Sequence, residues 1–420
     1  MGITAPKGTK DVLPAQSYRW QFVESAIREI CAKYGLSEIR TPVFESTDLF
    51  LRGVGDTTDI VQKEMYTFLD KGGRSVALKP EGTAGAVRMF IEHALYAEAQ
   101  PTKMYYLNSP TFRYERPQAG RLREHHQFGV EILGAPRATA DAEVIALALE
   151  LFAKLGTSEL RVKLNSIGCP NCRGRYQAAL RDFLHTHEAE LCGTCLERLQ
   201  TNPLRVLDCK VPACQSLLEG TPRTMDYICG DCAAHMQQLT DCLDTLGVDY
   251  EIDPKLVRGL DYYTKTVFEI VSAKIGAQGT VCGGGRYDGL VQELGGPATP
   301  AVGFGLGLER LLLLMEQLEV NPESPVKYDV LVTPLGSAAT TAAFALVAGL
   351  RGRGLAADLD HLGRSMKAQM KYADKTGTHY VLALGETELA AGRVQLKDMH
   401  SGSQTETALD ANAIADAIGN

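Results

Sequence analysis

The sequence has no long apolar run, no glycine–lysine pair and a single tryptophan in 420 residues. Its most apolar stretch, Ala301 to Met315, is broken by glycine, glutamate and arginine. It falls short of the ~20 apolar residues that span a bilayer. The opening segment MGITAPKGTKDVLP lacks the apolar centre of a secretory leader. Both absences lead us to expect a cytoplasmic protein with no membrane contact. Without a glycine–lysine pair there is no P-loop, and no H-E-x-x-H helix is present. The glycine-rich segments CGGGRYDGL and GFGLGLER fail as dinucleotide fingerprints, because the last required glycine falls on Asp288 or Leu308. Positive charge is in deficit: 43 Lys and Arg against 51 Asp and Glu leave a net −8. That argues against a DNA-coating surface, though not against a local basic patch for RNA.

What is present is ordered along the chain. Apolar residues recur at helical spacing from Ser17 to Tyr34, and Gly35 supplies a C-cap. LSEIRTPVFES has strand character interrupted by Pro42, which suits an edge or interface strand. Met104–Arg113 and Gln127–Leu133 pair as an antiparallel hairpin with a long loop. Asp141–Leu155 is an amphipathic helix. Strand patterns resume at Leu256–Val271 and Gly279–Leu290, and Gly303–Leu314 passes from strand to helix. NPESP, at Asn321–Pro325, is a linker signal. The strand–helix alternation after it predicts a separate α/β domain, giving domains at 1–322 and 323–420. The first is α+β, an antiparallel sheet flanked by helices, interrupted by an insertion at about 169–240.

Two features carry chemistry. The hairpin loop holds Arg113, Arg116, Arg121 and Arg123 within eleven residues. A guanidinium at a strand end is aimed by the sheet and makes a two-pronged contact with phosphate oxygens. The other reading is a solvated loop with local pairs to Glu115 and Glu124. The insertion holds eight of the eleven cysteines in four close pairs. A cytoplasmic chain keeps thiols reduced, so the pairs are either zinc ligands or small buried hydrophobes. A nested pairing gives one site from Cys192, Cys195, Cys209 and Cys214 and another from Cys169, Cys172, Cys229 and Cys232.

TFRYERPQAGR resembles motif 2 of class II aminoacyl-tRNA synthetases, and GLERLLLLM resembles their motif 3. The helix from Ser17 with the Pro42 strand is similar to motif 1, the dimer element. LVRGLDYYTKTVFE, GGGRYDGL, APKGTKDVLP and KPEGTAG resemble segments of the histidyl-tRNA synthetase family, over essentially the whole chain. The resemblance implies histidine activation by ATP with magnesium, transfer to tRNA(His), a homodimer, and an anticodon-binding domain at the C-terminus. It implies Arg113 and Arg258 at the α-phosphate, with Glu115 and Arg310 also on the ATP. Histidine would be held by Glu81, Thr83, Gln127, Glu131, Arg258, Tyr262, Tyr263 and Tyr287. Because Tyr262 and Tyr263 alternate on a strand, only one of them is expected to face the site. Arg116 and Gln118 would meet the tRNA acceptor end, and Arg121 and Arg123 its phosphates. Two rivals stand beside this reading: a catalytically inactive paralogue regulating histidine biosynthesis, and a zinc-ribbon nucleic-acid-binding protein.

Overall fold

The computed structural model describes residues 2–55, 58–275 and 279–419. The chain divides into two compact units, Met1–Pro322 and Glu323–Asn420. In chain order the first unit begins with α1 (Pro14–Lys33), β1 (Ser37–Glu38), β2 (Phe44–Ser46), α2 (Thr47–Val54), β3 (Thr67–Leu69), β4 (Ser75–Leu78) and α3 (Thr83–Glu92). The hairpin strands β5 (Thr102–Phe112) and β6 (Glu124–Leu133) follow, then α4 (Ala138–Lys154) and β7 (Leu160–Ser166). The cysteine-rich insertion contributes α5 (Pro170–His185), α6 (Gly193–Thr201), α7 (Pro212–Leu217) and α8 (Gly230–Thr245). The chain returns through β8 (Tyr250–Ile252), β9 (Thr264–Ser272), β10 (Thr280–Arg286), α9 (Leu290–Glu293), β11 (Ala301–Gly307) and α10 (Leu308–Gln317).

Eight strands form one sheet in the order β1-β5-β6-β11-β10-β9-β7-β8. It is antiparallel except for the outermost pairs β1/β5 and β7/β8. Strand side chains alternate between faces, and the two faces differ sharply. Phe128, Val130, Ile132, Phe268, Ile270, Phe304 and Leu306 bury one face against α1, α4, α8 and α10. That burial is the main core, since each fully buried large apolar side chain is worth about 1.5–3 kcal/mol. The other face carries the site.

Pro42 does more than expected. The segment around it is not one strand but two: β1 pairs with β5 at the edge of the large sheet, while β2 joins a small sheet of order β2-β4-β3. Proline cannot extend a ladder, so the chain changes sheet there. The expected end of the insertion near residue 240 falls inside α8. Met236, Leu239 and Leu243 of that helix are buried in the main core, which makes its second half part of the sheet's packing.

Below the sheet lies a buried polar knot that the sequence reading did not anticipate. Arg286 is fully buried. Its Nε lies 3.1 Å from Asp141 Oδ2, and it also donates to Ala135 O, Arg137 O and Asp288 Oδ1. His235 Nε2 of α8 is 3.2 Å from Asp141 Oδ1. Burial by itself raises the Asp141 pKa, but His235 and Arg286 outweigh it and hold the carboxyl below its usual range. The knot joins β10, α4 and α8.

The second unit contains β12 (Val330–Pro334), α11 (Ser337–Gly352), β13 (Ala357–Leu359), α12 (Met366–Lys375), β14 (Tyr380–Leu384), α13 (Glu386–Ala391), β15 (Arg393–Asp398), β16 (Gln404–Ala408) and α14 (Ala411–Ala417). Its sheet has the order β13-β12-β14-β15-β16, with the first three strands parallel. Among the described residues no helix is long and apolar enough to cross a membrane.

Removing Arg286 leaves Asp141 charged and buried. Arg286→Ala is expected to destabilise the first unit by about 3–5 kcal/mol, read from the urea midpoint. A loss under about 1 kcal/mol, the scale of an exposed pair, would contradict this account.

Candidate active site

The glycine segments explain themselves once the strands are in register. Gly283 of β10 pairs with Glu269 of β9 and Gly305 of β11, Gly305 pairs with Gly129 of β6, and Gly129 pairs with Tyr106 of β5. Three neighbouring strands therefore present hydrogen atoms where side chains would stand. Polar groups fill the space. A Cβ on Gly283 would lie 2.5 Å from both terminal nitrogens of Arg258. A Cβ on Gly303 would lie 2.3 Å from Glu131 Oε2. The Tyr106 ring is caught between Gly129 and Gly82, where added Cβ atoms would come within 2.1 and 2.3 Å of its Cζ. These glycines serve close approach of side chains to backbone.

At one end of this face the groups close on each other. Glu131 is 1% exposed. Its Oε1 accepts from Thr83 Oγ1 at 2.8 Å and from the Tyr106 hydroxyl at 3.3 Å, and the Tyr287 hydroxyl donates to its Oε2. Burial pushes its pKa up to about 8, against the pull of those donors. Glu81 accepts from the backbone N–H groups of Thr83 and Ala84 at 2.8 and 2.7 Å, so it caps the exposed amides that start α3. Burial raises its pKa too.

Tyr262 and Tyr263 correct the expectation of alternation. They precede β9 in a turn, so strand geometry does not apply to them. Both are buried, with ring centroids 4.7 Å apart, and both meet the Tyr287 ring edge-on at 5.5 and 6.4 Å.

At the other end the face opens into a cleft of about 1580 Å³. Arg113, Gln127, Arg258 and Arg310 line it from the sheet side, and residues 207–210 of the insertion form an opposing wall. Arg113 Nε donates to Pro80 O at 2.9 Å, and burial lowers its pKa. Arg258 pairs with Glu269; burial works against its charge, but Glu269 raises its pKa overall. Arg310 donates to Gly120 O at 3.2 Å and to Thr280 O at 2.7 Å, tying α10 to the hairpin tip. Its neighbour Glu309 accepts from the His126 N–H at 3.0 Å and lies 2.8 Å from His126 Nδ1. Gln127 Oε1 is buried without a protein partner. His125, which sequence reasoning missed, also lines the cleft. Burial and then Arg113 lower its pKa to about 3, so its ring is neutral.

The hairpin loop uses its arginines unequally. Arg121 pairs with Glu115. Arg123 does not reach outward as expected: its guanidinium lies 4.0 Å over the Tyr114 ring and its Nε donates to Glu115 O at 3.0 Å. Arg116 and Gln118 are exposed. Glu115 lines the cleft beside Arg121.

The eight insertion cysteines gather as the nested quartets Cys169, Cys172, Cys229, Cys232 and Cys192, Cys195, Cys209, Cys214. Sulfur–sulfur separations of 3.5, 3.8 and 3.7 Å in the first, and 3.8 Å in the second, are far beyond a disulfide of ~2.05 Å. They match the ~3.8 Å edge of a tetrahedron built on ~2.3 Å zinc–sulfur bonds. Both quartets suit a metal ion.

An antiparallel sheet with an arginine at the end of a hairpin strand and a glycine strand leading into an arginine-bearing helix is the catalytic fold of a class II aminoacyl-tRNA synthetase. The family described as histidyl-tRNA synthetase matches residues 8–311, and an anticodon-binding domain family matches residues 329–415. A histidine–tRNA ligase of Caldanaerobacter subterraneus is 57% identical over 406 residues, 97% of each chain. One from Clostridium perfringens is 50% identical over 419 residues, 100% of each chain. The crystal structure of apo histidyl-tRNA synthetase from S. aureus aligns over 100% of both chains with TM-score 0.85 and 37% identity. The chain belongs to the histidyl-tRNA synthetase family.

The glycine floor gives a direct test. Gly129→Ala pushes a methyl into the Tyr106 ring and is expected to destabilise by about 1–3 kcal/mol, the range for overpacking. In a urea-denaturation cycle the loss should be smaller on a Tyr106→Ala background. Additive losses would show that ring contact is not the cause.

Proposed function

We propose that the chain activates L-histidine with ATP to histidyl-adenylate and pyrophosphate, then transfers histidine to the 3′ end of tRNA(His). The observation that carries this is the convergence of Arg113, Arg258 and Arg310 on one cleft, with the buried Glu131 pocket at its inner end. In the first step a carboxylate oxygen of histidine bonds to the α-phosphorus, and the bond to the pyrophosphate oxygen breaks. Two anions must approach and charge grows at the α-phosphate, so fixed cations stabilise the transition state more than the ground state. Arg258 and Arg113 supply them, and Arg310 holds the ATP. Magnesium, when bound, neutralises the phosphates, with Glu115 as its candidate carboxylate.

Histidine enters with its ring toward Glu131, between Thr83 and the tyrosines. Its ammonium meets Glu81, and Gln127 Oε1 gains a donor. Such a pocket rejects analogues without the imidazole because its buried polar groups would be left unpaired. In the second step the terminal ribose hydroxyl attacks the acyl carbon and AMP leaves. The exposed Arg116 and Gln118 meet the acceptor end, and Arg121 with Glu115 lies beneath them.

In the second unit Lys367, Lys371 and Lys375 stand four residues apart on α12 and are exposed, a basic stripe for RNA phosphates. Arg351 and Arg364 are instead paired with Asp358 and Asp360. The quartets hold zinc. Two chains form a cytoplasmic homodimer through the α1 side. Phe44 and Phe68, 58% and 50% exposed on the small sheet, add apolar area for that contact. The regulatory-paralogue reading is disfavoured by the retained Arg113, Arg258, Arg310 and Glu81 and by the second unit.

ATP–pyrophosphate exchange, run with each of the twenty amino acids and no tRNA, tests the reading. Exchange with histidine alone is expected. Arg258→Ala should lower it by about 10²–10³-fold, the scale for losing one fixed transition-state donor. No exchange with any amino acid from a folded protein would return the paralogue.

Glu131 gives a pH test. With a pKa of about 8 it is protonated in the free protein below that pH, while free histidine's ring titrates near roughly 6.5. Pocket and ring share one proton. Histidine affinity is therefore expected to peak between these values and to fall about tenfold per unit above pH 8, as Glu131 loses its proton. Glu131→Gln should remove the part of that fall that sets in near pH 8, leaving only the later fall as histidine's own ammonium titrates. A plateau above pH 8 in the parent would sink the shared-proton assignment.

A further inference from the structure

The segment Arg258–Tyr263 supplies three groups to the site, Arg258, Tyr262 and Tyr263, yet it belongs to no helix or strand. It is braced from the insertion. The Arg173 guanidinium donates to Tyr263 O, and its Nε is buried without a partner. Arg205 donates to Gly259 O at 2.9 Å and to Asp261 Oδ1 at 3.0 Å, and Asn202 Nδ2 donates to the same oxygen at 3.1 Å. Lys265 N–H, just beyond the segment, donates to Gly168 O at 2.9 Å. On its far side Asp261 crowds Gly55, where a Cβ would come within 2.7 Å of Oδ2.

Two of these braces arise beside one cysteine quartet. Gly168 precedes Cys169, and Arg173 follows Cys172 on the first turn of α5. Cys229 and Cys232 approach from the start of α8, 60 residues later, at 3.8 and 3.7 Å. Closing the quartet fixes the first turn of α5 against α8, and that turn carries Arg173.

We propose that the Cys169–Cys172–Cys229–Cys232 quartet, acting through Arg173, positions the Arg258–Tyr263 segment, so that the insertion sets the histidine pocket as well as walling the cleft. Arg173 is a positioning residue: it touches the Tyr263 backbone and no reacting atom. The consequence for histidine rests on the roles given above to Arg258 and Tyr263, whereas the mechanical claim does not.

Two readouts on the full-length protein decide it. In hydrogen exchange, Arg173→Ala is expected to lower amide protection across residues 258–265. A Cys229→Ser/Cys232→Ser variant, altered only at cysteines that do not touch the segment, should lower it at the same amides. In ATP–pyrophosphate exchange, Arg173→Ala should raise the KM for histidine about tenfold, the scale of one hydrogen bond to a charged group. The KM for ATP should stay within about twofold on the same scale. Arg173→Lys should recover part of the loss. A merely structural defect lowers the active fraction, and hence kcat, without moving the histidine KM. Unchanged protection at 258–265 in both variants, with both folded, would overturn the proposal, as would an unchanged histidine KM in Arg173→Ala. If the parent exchanges pyrophosphate with no amino acid, the functional reading falls while the amide readout still decides the brace.

Discussion

Space on one face of the large sheet is the constraint on which the rest depends. Strands usually carry side chains on both faces, and a site built on such a surface stands several ångströms above the backbone. Here Gly283, Gly305 and Gly129 lie side by side on β10, β11 and β6, and Gly303 lies one step along, opposite Glu131. The Arg258 guanidinium, the Glu131 carboxylate and the Tyr106 ring come close against the polypeptide itself. Their positions are set by the sheet, which the apolar core on the other face makes rigid. A methyl group at any of several points would lift a functional group by more than catalytic geometry tolerates.

Lowering charged groups into that trough has an electrostatic consequence. Burial penalises each charge, and the site answers differently at each position. Arg258 keeps its charge because Glu269 stands across the strand pair. At Glu81 burial outweighs the Ala84 and Thr83 N–H groups, the Thr83 hydroxyl and the Arg113 charge, and its pKa stays raised. Glu131 has three hydroxyl donors and no cation, so it titrates near 8. Neither carboxylate is fully compensated by the protein's own groups. A cation or a proton is what such carboxylates take up to complete their compensation.

Much of this was legible in the sequence, and the failures have physical causes. The hairpin, the strand-to-helix passage at Gly303–Leu314 and the nested cysteines rest on local periodicity and close spacing, which survive folding. Tyr262 and Tyr263 were misjudged because alternation holds only inside a strand, and the bond-forming register of β9 begins at Thr264. That Arg123 lies over the Tyr114 ring was not legible, because charge in a loop says nothing of a neighbouring ring. The Arg286–Asp141–His235 knot links residues separated by 145 and 94 positions, and no spacing rule reaches that far. Asp141 gave no local sign either, since an acidic residue in the first turn of an amphipathic helix is ordinary.

The insertion shows why such a sheet accepts a large excursion. It leaves after β7 and returns as β8, which pairs with β7 at the sheet's edge, so no interior ladder is broken. Its two ends are brought together by the outer quartet across 60 residues. Closing so long a loop costs conformational entropy that grows only logarithmically with length, a cost that a metal bound by four sulfurs would exceed many times over. The inner quartet then shapes the segment from Leu207 to Lys210, which walls the cleft. The same excursion therefore meets the site twice, once through this wall and once through the brace on Tyr263. A module that only walled the cleft would need the first contact and not the second.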